Sequence, residues 1–410
     1  MFDLVSNRGD SALSLFVRDP QLNLGREVRP WLVPFASTFV ILAGTLTSVM
    51  LGAQIKECVP TCNDFVPISG VGIRCGDDDF GQPFYPVDYP CRPTVFEDPW
   101  CSTALMYISE LACLAVWEVR KRIAYGEEDS DFWARKAARR PKLLWWIIPT
   151  ALDMCSSVSY FHSIQLVPSS TVNIVGSFNI ILTAMISAIW LRKALLVHEW
   201  MGVLLICVGL VFTSDGITEF SGPGITLAIL IIAFEGCLYN SIEHLFSCYS
   251  ISPWRAVGLQ GVYGILVSVP AVAIAHLTHQ INFSVTLYQI SHSWVVAMSS
   301  VLLIITIAIF NVALQTCIKH SSCVHCVVVL ALRSVWNWLL EVALGWVHCK
   351  LRVVIALSVV VLGSFIYNNV WINTMGNEFW MRPVTCKKLC CGRLREDPVM
   401  DADNSVQACL

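Results

Sequence analysis

The sequence predicts an all-α, polytopic membrane protein of about ten transmembrane helices, and three observations predict it. Hydrophobic residues fill 55% of the 410 positions and charged residues 14%, where a soluble domain carries about 25% charged residues. Mean hydropathy is +0.62, and mainly apolar runs of about 18 to 25 residues recur along the chain, long enough to cross a bilayer. The third observation is a pair of matching halves. Ser169-Ser170-Thr171-Val172 opens an apolar run that leads on to Gly202 and Gly209, and Ser321-Ser322-Cys323-Val324 opens another that leads on to Gly363-Ser364. The separations Ser170–Gly209 and Ser322–Gly363 agree to within about two residues, an internal duplication of the kind carriers show.

The apolar runs place spans near 31–53, 99–119, 143–165, 168–191, 195–214, 222–246, 254–277, 294–316, 323–346 and 351–373. Residues 1–30 form a tail of mixed charge with no apolar core of signal-peptide length. The first span then serves as the targeting signal. The first five spans make a unit over 31–214, the second five a unit over 215–373, and 374–410 is a basic, cysteine-bearing tail. The gaps after 165, 191 and 346 are so short that those neighbours must be antiparallel hairpins.

Charge orients the bundle. Arg120, Lys121, Arg122, Arg135, Lys136, Arg139, Arg140 and Lys142 crowd the loop between the second and third spans, which puts it in the cytosol. Loop 54–98 holds Asp77, Asp78, Asp79, Asp88, Glu97 and Asp98 and belongs on the lumenal side. Arg192, Lys193 and the tail from Arg382 fall on the cytosolic side only with an even span count. Both termini are therefore expected in the cytosol, a parity that excludes a seven-helix receptor. The net charge of −3 gives no reason to expect nucleic acid as a partner.

Modification signals fit this topology. Cys58, Cys62, Cys75 and Cys91 all lie in the lumenal loop, an oxidising setting in which two disulfides have three possible connectivities. Zinc is the competing reading, but the spacing is irregular and no histidine is near. The loop is either a lid over the lumenal mouth or a staple against proteolysis, the latter favoured. Asn282-Phe283-Ser284 is a glycosylation sequon in a loop placed on the same side. Cys386, Cys390 and Cys391 stand among basic residues beyond the last span, a palmitoylation pattern. The terminal Gln-Ala-Cys-Leu misplaces its cysteine for prenylation.

An ionised side chain at mid-bilayer costs roughly 2.5 to 3.5 kcal/mol and is kept only where it meets water, a partner or a substrate. Glu110, Asp153, Glu235, Glu243, Arg333 and Glu341 all fall within spans. Arg333 is the most telling, since guanidinium does not deprotonate. It is expected to meet Asp153, Glu110 or a substrate, either in a transport path or as a structural bridge between halves. Glu110 and Asp153 are candidate proton sites. Glu243, His244 and Glu341 read as snorkelling groups near segment ends, and His162 as interfacial. The polar openings at Ser169-Ser170 and Ser321-Ser322 present helix N-termini that could receive an anionic or polar substrate, with plain capping as the simpler role. No nucleophile elbow, Walker loop or HExxH motif appears, so no enzyme and no cofactor is expected.

Several motifs, taken in order, resemble one family. They are Ile108-Ser109-Glu110-Leu111-Ala112-Cys113-Leu114, Pro149 to Asp153-Met154, Ser169-Ser170 through Gly209-Leu210-Val211, and Pro253-Trp254-Arg255 through Gly258-Leu259-Gln260-Gly261. Phe310-Asn311, Leu332-Arg333-Ser334, Ala343-Leu344-Gly345-Trp346 and Gly363 through Tyr367-Asn368 complete the series. In this order the chain resembles the drug/metabolite transporter superfamily, in its nucleotide-sugar-transporter-like solute carrier 35 F branch, close to chloroquine-resistance-transporter-like proteins. The resemblance implies two inverted five-helix repeats, a central cavity and alternating access. It names Glu110, Asp153, Asn311 and Arg333 as cavity candidates, to which the polar helix opening adds Ser169 and Ser170. Val175, Gln260 and Leu330 stand where the family has Arg, Glu and Asp, which points to an altered specificity.

The expected function is a secondary carrier of a small organic solute (metabolite, amino acid, peptide or nucleotide-sugar-like). Coupling to protons, an endomembrane location such as lysosome, vacuole or Golgi, and a homodimer are further expectations. The alternative is a non-transporting membrane scaffold that keeps the fold and recruits partners through its tails.

Overall fold

The computed structural model describes residues 31–62, 91–96, 99–124, 143–166, 178–193, 195–213, 222–249, 251–277, 283–345 and 348–368. In chain order these form α1 (Leu32–Lys56), β1 (Cys58–Cys62), β2 (Cys91–Val95), α2 (Pro99–Ala124) and, after one 3-10 turn, α3 (Ile147–Leu166). Then follow α4 (Asn179–Ile189), α5 (Val197–Phe212), α6 (Gly222–Cys248), α7 (Pro253–Leu277), α8 (Phe283–His292), α9 (Trp294–His320), α10 (Cys323–Ala343) and α11 (Leu351–Tyr367).

A helix stands in every expected span. Six of them, α1, α2, α6, α7, α9 and α10, are long and apolar enough to cross a membrane, and α4, α5 and α11 are shorter apolar helices. The 20-residue α3 is long enough but interrupts its apolar pattern with Asp153, Ser156, Ser157, Ser159 and Ser163. These polar side chains sit among apolar ones because part of α3 faces the protein interior.

Two elements differ from the expectation. The loop after α1 contributes a two-stranded antiparallel ribbon, so the fold is nearly rather than wholly α-helical. The ten-residue α8 precedes α9, too short to register as a span. The two meet: Val59, Phe96 and Val296 form a small buried cluster with Ile290 against it, and Ser293 donates to Glu57 Oε1 at 3.0 Å. Ser293 also caps α9 by accepting from the Val296 N–H.

Burial is arranged for lipid. Large apolar side chains face outward, with Leu266 65% and Leu351 74% exposed, a surface that would aggregate in water and suits a bilayer. Polar side chains turn inward: Gln54 donates to Ser300 at 2.9 Å, and Gln315 donates to the Gln260 side chain. Hydrocarbon offers such groups no partner, so they must find one inside the protein.

The helices pair mainly across the middle of the chain. α5 packs along α11, α1 along α9, α2 along α7 and α3 along α6, and α4 touches both α6 and α10. Glycines let backbones close in. A Cβ on Gly258 or Gly261 of α7 would lie within 2.6 Å of an α2 atom. The helix crossings use small residues for contact that larger side chains would prevent.

Candidate functional site

The site grows from polar side chains on helices of both halves. On α2, Glu110 is 3% exposed, and its Oε1 accepts from Asn311 Nδ2 of α9 at 2.7 Å. Two residues 201 positions apart, both expected in the cavity, are thus hydrogen-bonded partners. The second carboxylate oxygen of Glu110 is buried without a hydrogen-bond partner.

Glu110 lies within electrostatic range of Asp153 on α3, and Asp153 within range of Glu235 on α6. Glu235 is the best-anchored of the three. Asn179, the first residue of α4, donates to its Oε2 at 2.5 Å, and Ser156 of α3 lies at 3.5 Å from its Oε1. Thr183 one turn later donates to Asn179 Oδ1 at 3.0 Å and fixes the amide's orientation. Glu235 in turn feels the charge of Arg333 on α10.

Arg333 does not bond directly to the carboxylates expected for it. Among the described residues it forms no ion pair; its guanidinium carbon lies 5.4 Å from the Phe310 ring centroid, a cation–π contact. Its Nε is buried without a hydrogen-bond partner. Gly44 on α1 makes the room, since a Cβ there would lie 2.5 Å from Arg333 Cδ and 2.9 Å from Phe310 Cε2. The carboxylate that shares its surroundings is Glu235, not Glu110 or Asp153 as first partner. The result is a row of acidic groups, Glu110, Asp153 and Glu235, with one permanent cation at its end. Tyr107, Tyr160 and Tyr239 stand along the same row. A row of ionisable carboxyls and hydroxyls ending at a cation inside an apolar bundle can hold a polar solute or relay protons.

Glu243 is not a snorkelling group. It is 6% exposed, pairs with Lys193 and accepts from the Cys323 backbone N–H at 2.9 Å. That N–H is the first of α10, whose N-cap Ser322 accepts from the His325 N–H at 3.1 Å. The Ser321-Ser322 opening is therefore capped by the protein's own groups, and its partial positive charge is met by Glu243. His244 next to it stacks on Trp190 with ring centroids 5.6 Å apart. Its companion opening, Ser169 and Ser170, lies outside the described residues, as do Val175, Cys75, Asn282, Cys386, Cys390 and Cys391. Cys58, Cys62 and Cys91 are placed by backbone alone, in the ribbon.

Sequence reasoning noted Glu235 but passed it over, and it missed Asn179 and Ser156 altogether. A mid-span Glu was the available signal; its amide partner 56 residues earlier was not. Gln260 is paired with Gln315, and Leu330 packs against the apolar core. Among the described residues no cluster of three His, Cys, Asp or Glu could hold a metal.

Comparison with known proteins points to one family. Residues 127–215 match the EamA-like transporter family. The human solute carrier family 35 member F6 is 24% identical over 313 residues, covering 70% of this chain and 83% of that protein. Both matches support the drug/metabolite transporter superfamily as what this chain is similar to. Within that superfamily the relatives named belong to solute carrier family 35, member F6. The same relative from Pongo abelii is 24% identical over 312 residues, covering 70% and 82%. The Rattus norvegicus protein is 24% identical over 297 residues, covering 67% and 78%. A solved crystal structure matches with a TM-score of 0.56 at 14% identity, covering 84% of this chain and 98% of that one, which speaks for the fold alone. Its apolar helices together with this likeness make the chain a multi-pass membrane protein and support a membrane transporter in general.

Proposed function

We propose that this chain is a secondary carrier for a small organic solute that works by alternating access between two five-helix halves, 31–214 and 215–373. The observation that carries the reading is the interior row Glu110–Asp153–Glu235 ending at Arg333, built from both halves. Arg333 attracts an anionic part of the solute or holds one state closed, and Asp153 or Glu110 carries a coupling proton. The pattern of helix pairing supports two repeats. If α1–α5 correspond in order to α6, α7, α9, α10 and α11, then α1–α9 and α6–α3 are equivalent pairs. By the same correspondence α2–α7, α4–α10 and α5–α11 each pair an element with its own counterpart.

The carrier resides in an acidic endomembrane with both tails in the cytosol and loop 54–98 in the lumen. The experiment is thermal unfolding of the purified protein against amino acids, short peptides, nucleotides and nucleotide sugars at pH 5 and pH 7. A ligand at about 100 times its dissociation constant adds roughly 2.7 kcal/mol. A stabilising solute whose effect disappears in Arg333→Ala supports the carrier. Silence from folded protein across the panel at both pH values favours the scaffold.

A further inference from the structure

The ribbon that follows α1 chooses among the cysteine pairings that the sequence leaves open. β1 and β2 run antiparallel with Cys58 opposite Val95, Val59 opposite Thr94, Pro60 opposite Pro93, Thr61 opposite Arg92 and Cys62 opposite Cys91. In an antiparallel ladder, hydrogen-bonded pairs, which exchange both N–H groups, alternate with non-hydrogen-bonded pairs. Proline has no N–H, so Pro60–Pro93 is a non-hydrogen-bonded pair. Two steps along, Cys62–Cys91 is one as well. Such pairs bring their Cα atoms to about 4.5 Å, inside the roughly 4.4–6.8 Å that a disulfide spans.

The same register removes two competitors. Cys58 and Cys62 are four residues apart on one extended strand, about 13 Å by strand rise. Cys58 and Cys91 stand at opposite ends of the ribbon, separated by a similar length. Both exceed the roughly 7 Å beyond which a disulfide needs backbone movement. We propose that Cys62 and Cys91 form a cross-strand disulfide that ties the ribbon at the end from which residues 63–90 leave it.

The bond forms between the two sulfurs as their thiols give up two protons and two electrons. A protein dithiol–disulfide oxidoreductase of the lumen takes both, its own disulfide ending as two thiols. The closed ribbon then holds Val59 and Phe96 on Ile290 and Val296 at the α8–α9 junction. The proposal rests on the lumenal placement of loop 54–98.

The test is alkylation of the full-length protein with N-ethylmaleimide in sealed membranes without reduction, then non-reducing digestion and fragment-ion sequencing. The expected result is a cross-linked peptide pair whose fragments join Cys62 to Cys91, retained in the Cys58→Ser/Cys75→Ser variant. A bond from Cys91 to Cys58 or Cys75, or from Cys62 to Cys75, overturns the pairing. Alkylated Cys62 and Cys91 also overturn it. A membrane-impermeant maleimide separates the causes: labelling from the lumenal face refutes the disulfide alone, and labelling from the cytosolic face refutes the topology with it.

Discussion

Gly202 on α5 and Gly363 on α11 stand so close that a Cβ on either would lie within 3 Å of the other's carbonyl oxygen, at 2.8 Å for Gly202 and 2.9 Å for Gly363. The obstructing atoms are backbone, which a rotamer change does not move. Gly202→Ala and Gly363→Ala are each expected to lower stability by about 1 to 3 kcal/mol through overpacking. Gly236→Ala is the control, since its nearest neighbours are the tips of Leu182 and Ile186 at 3.4 Å. Thermal unfolding in detergent should rank the first two well below wild type and leave the third near it.

Glu243 joins three elements: Lys193 after α4, its own helix α6 and the first N–H of α10. Removing one partner of a fully buried pair costs about 3 to 5 kcal/mol, but the Lys193 side chain is 40% exposed and solvent screens it. Glu243→Ala should therefore cost about 1 to 2 kcal/mol. Glu243→Gln keeps an oxygen to accept from Cys323 and should cost less. Equal melting temperatures for the two variants would mean that the charge, not the helix cap, is what counts.

The spans were legible in the sequence because hydrocarbon imposes one rule over some twenty residues at a time. That rule is also why α8 was not: ten residues fall below the length it can detect. The ribbon escaped for another reason, since its strands are separated by 28 residues and each carries a proline that blurs a strand pattern. In the site, Glu110 and Asn311 were singled out separately, and nothing local says that they bond across 201 positions. Glu243 was misjudged because position near a segment end does not reveal that another helix begins against it.

Arg333 depends on the missing side chain of Gly44. Gly44→Leu would drive atoms into Arg333 Cδ and the Phe310 ring, shifting the guanidinium without removing its charge. The expected outcome is folded protein whose solute binding weakens at least tenfold, close to the loss in Arg333→Ala. Arg333→Lys should recover part of the loss if charge suffices and none if the planar fork against Phe310 is needed. Solute-dependent thermal shifts on the three variants check this. Full binding by Gly44→Leu would assign Arg333 to a structural bridge.

The bond between Asn311 and Glu110 gives the sharpest test of proton coupling. Asn311 is the one hydrogen-bond partner of the Glu110 carboxylate among the described residues, and the other oxygen is buried without one. Asn311→Leu removes the sole donor and leaves a buried acid that is better tolerated neutral, at a cost of about 1 to 3 kcal/mol. Glu110→Gln fixes the neutral state instead and no longer exchanges a proton at all. If Glu110 carries the coupling proton, uptake into proteoliposomes by Glu110→Gln should lose its dependence on an imposed pH gradient while exchange of solute at equal pH persists. Asp153→Asn is the companion measurement, because the two carboxyls interact. Loss of gradient dependence in Asp153→Asn alone would assign the proton to α3, and its survival in both variants would mean that the carrier is not proton-driven through this row.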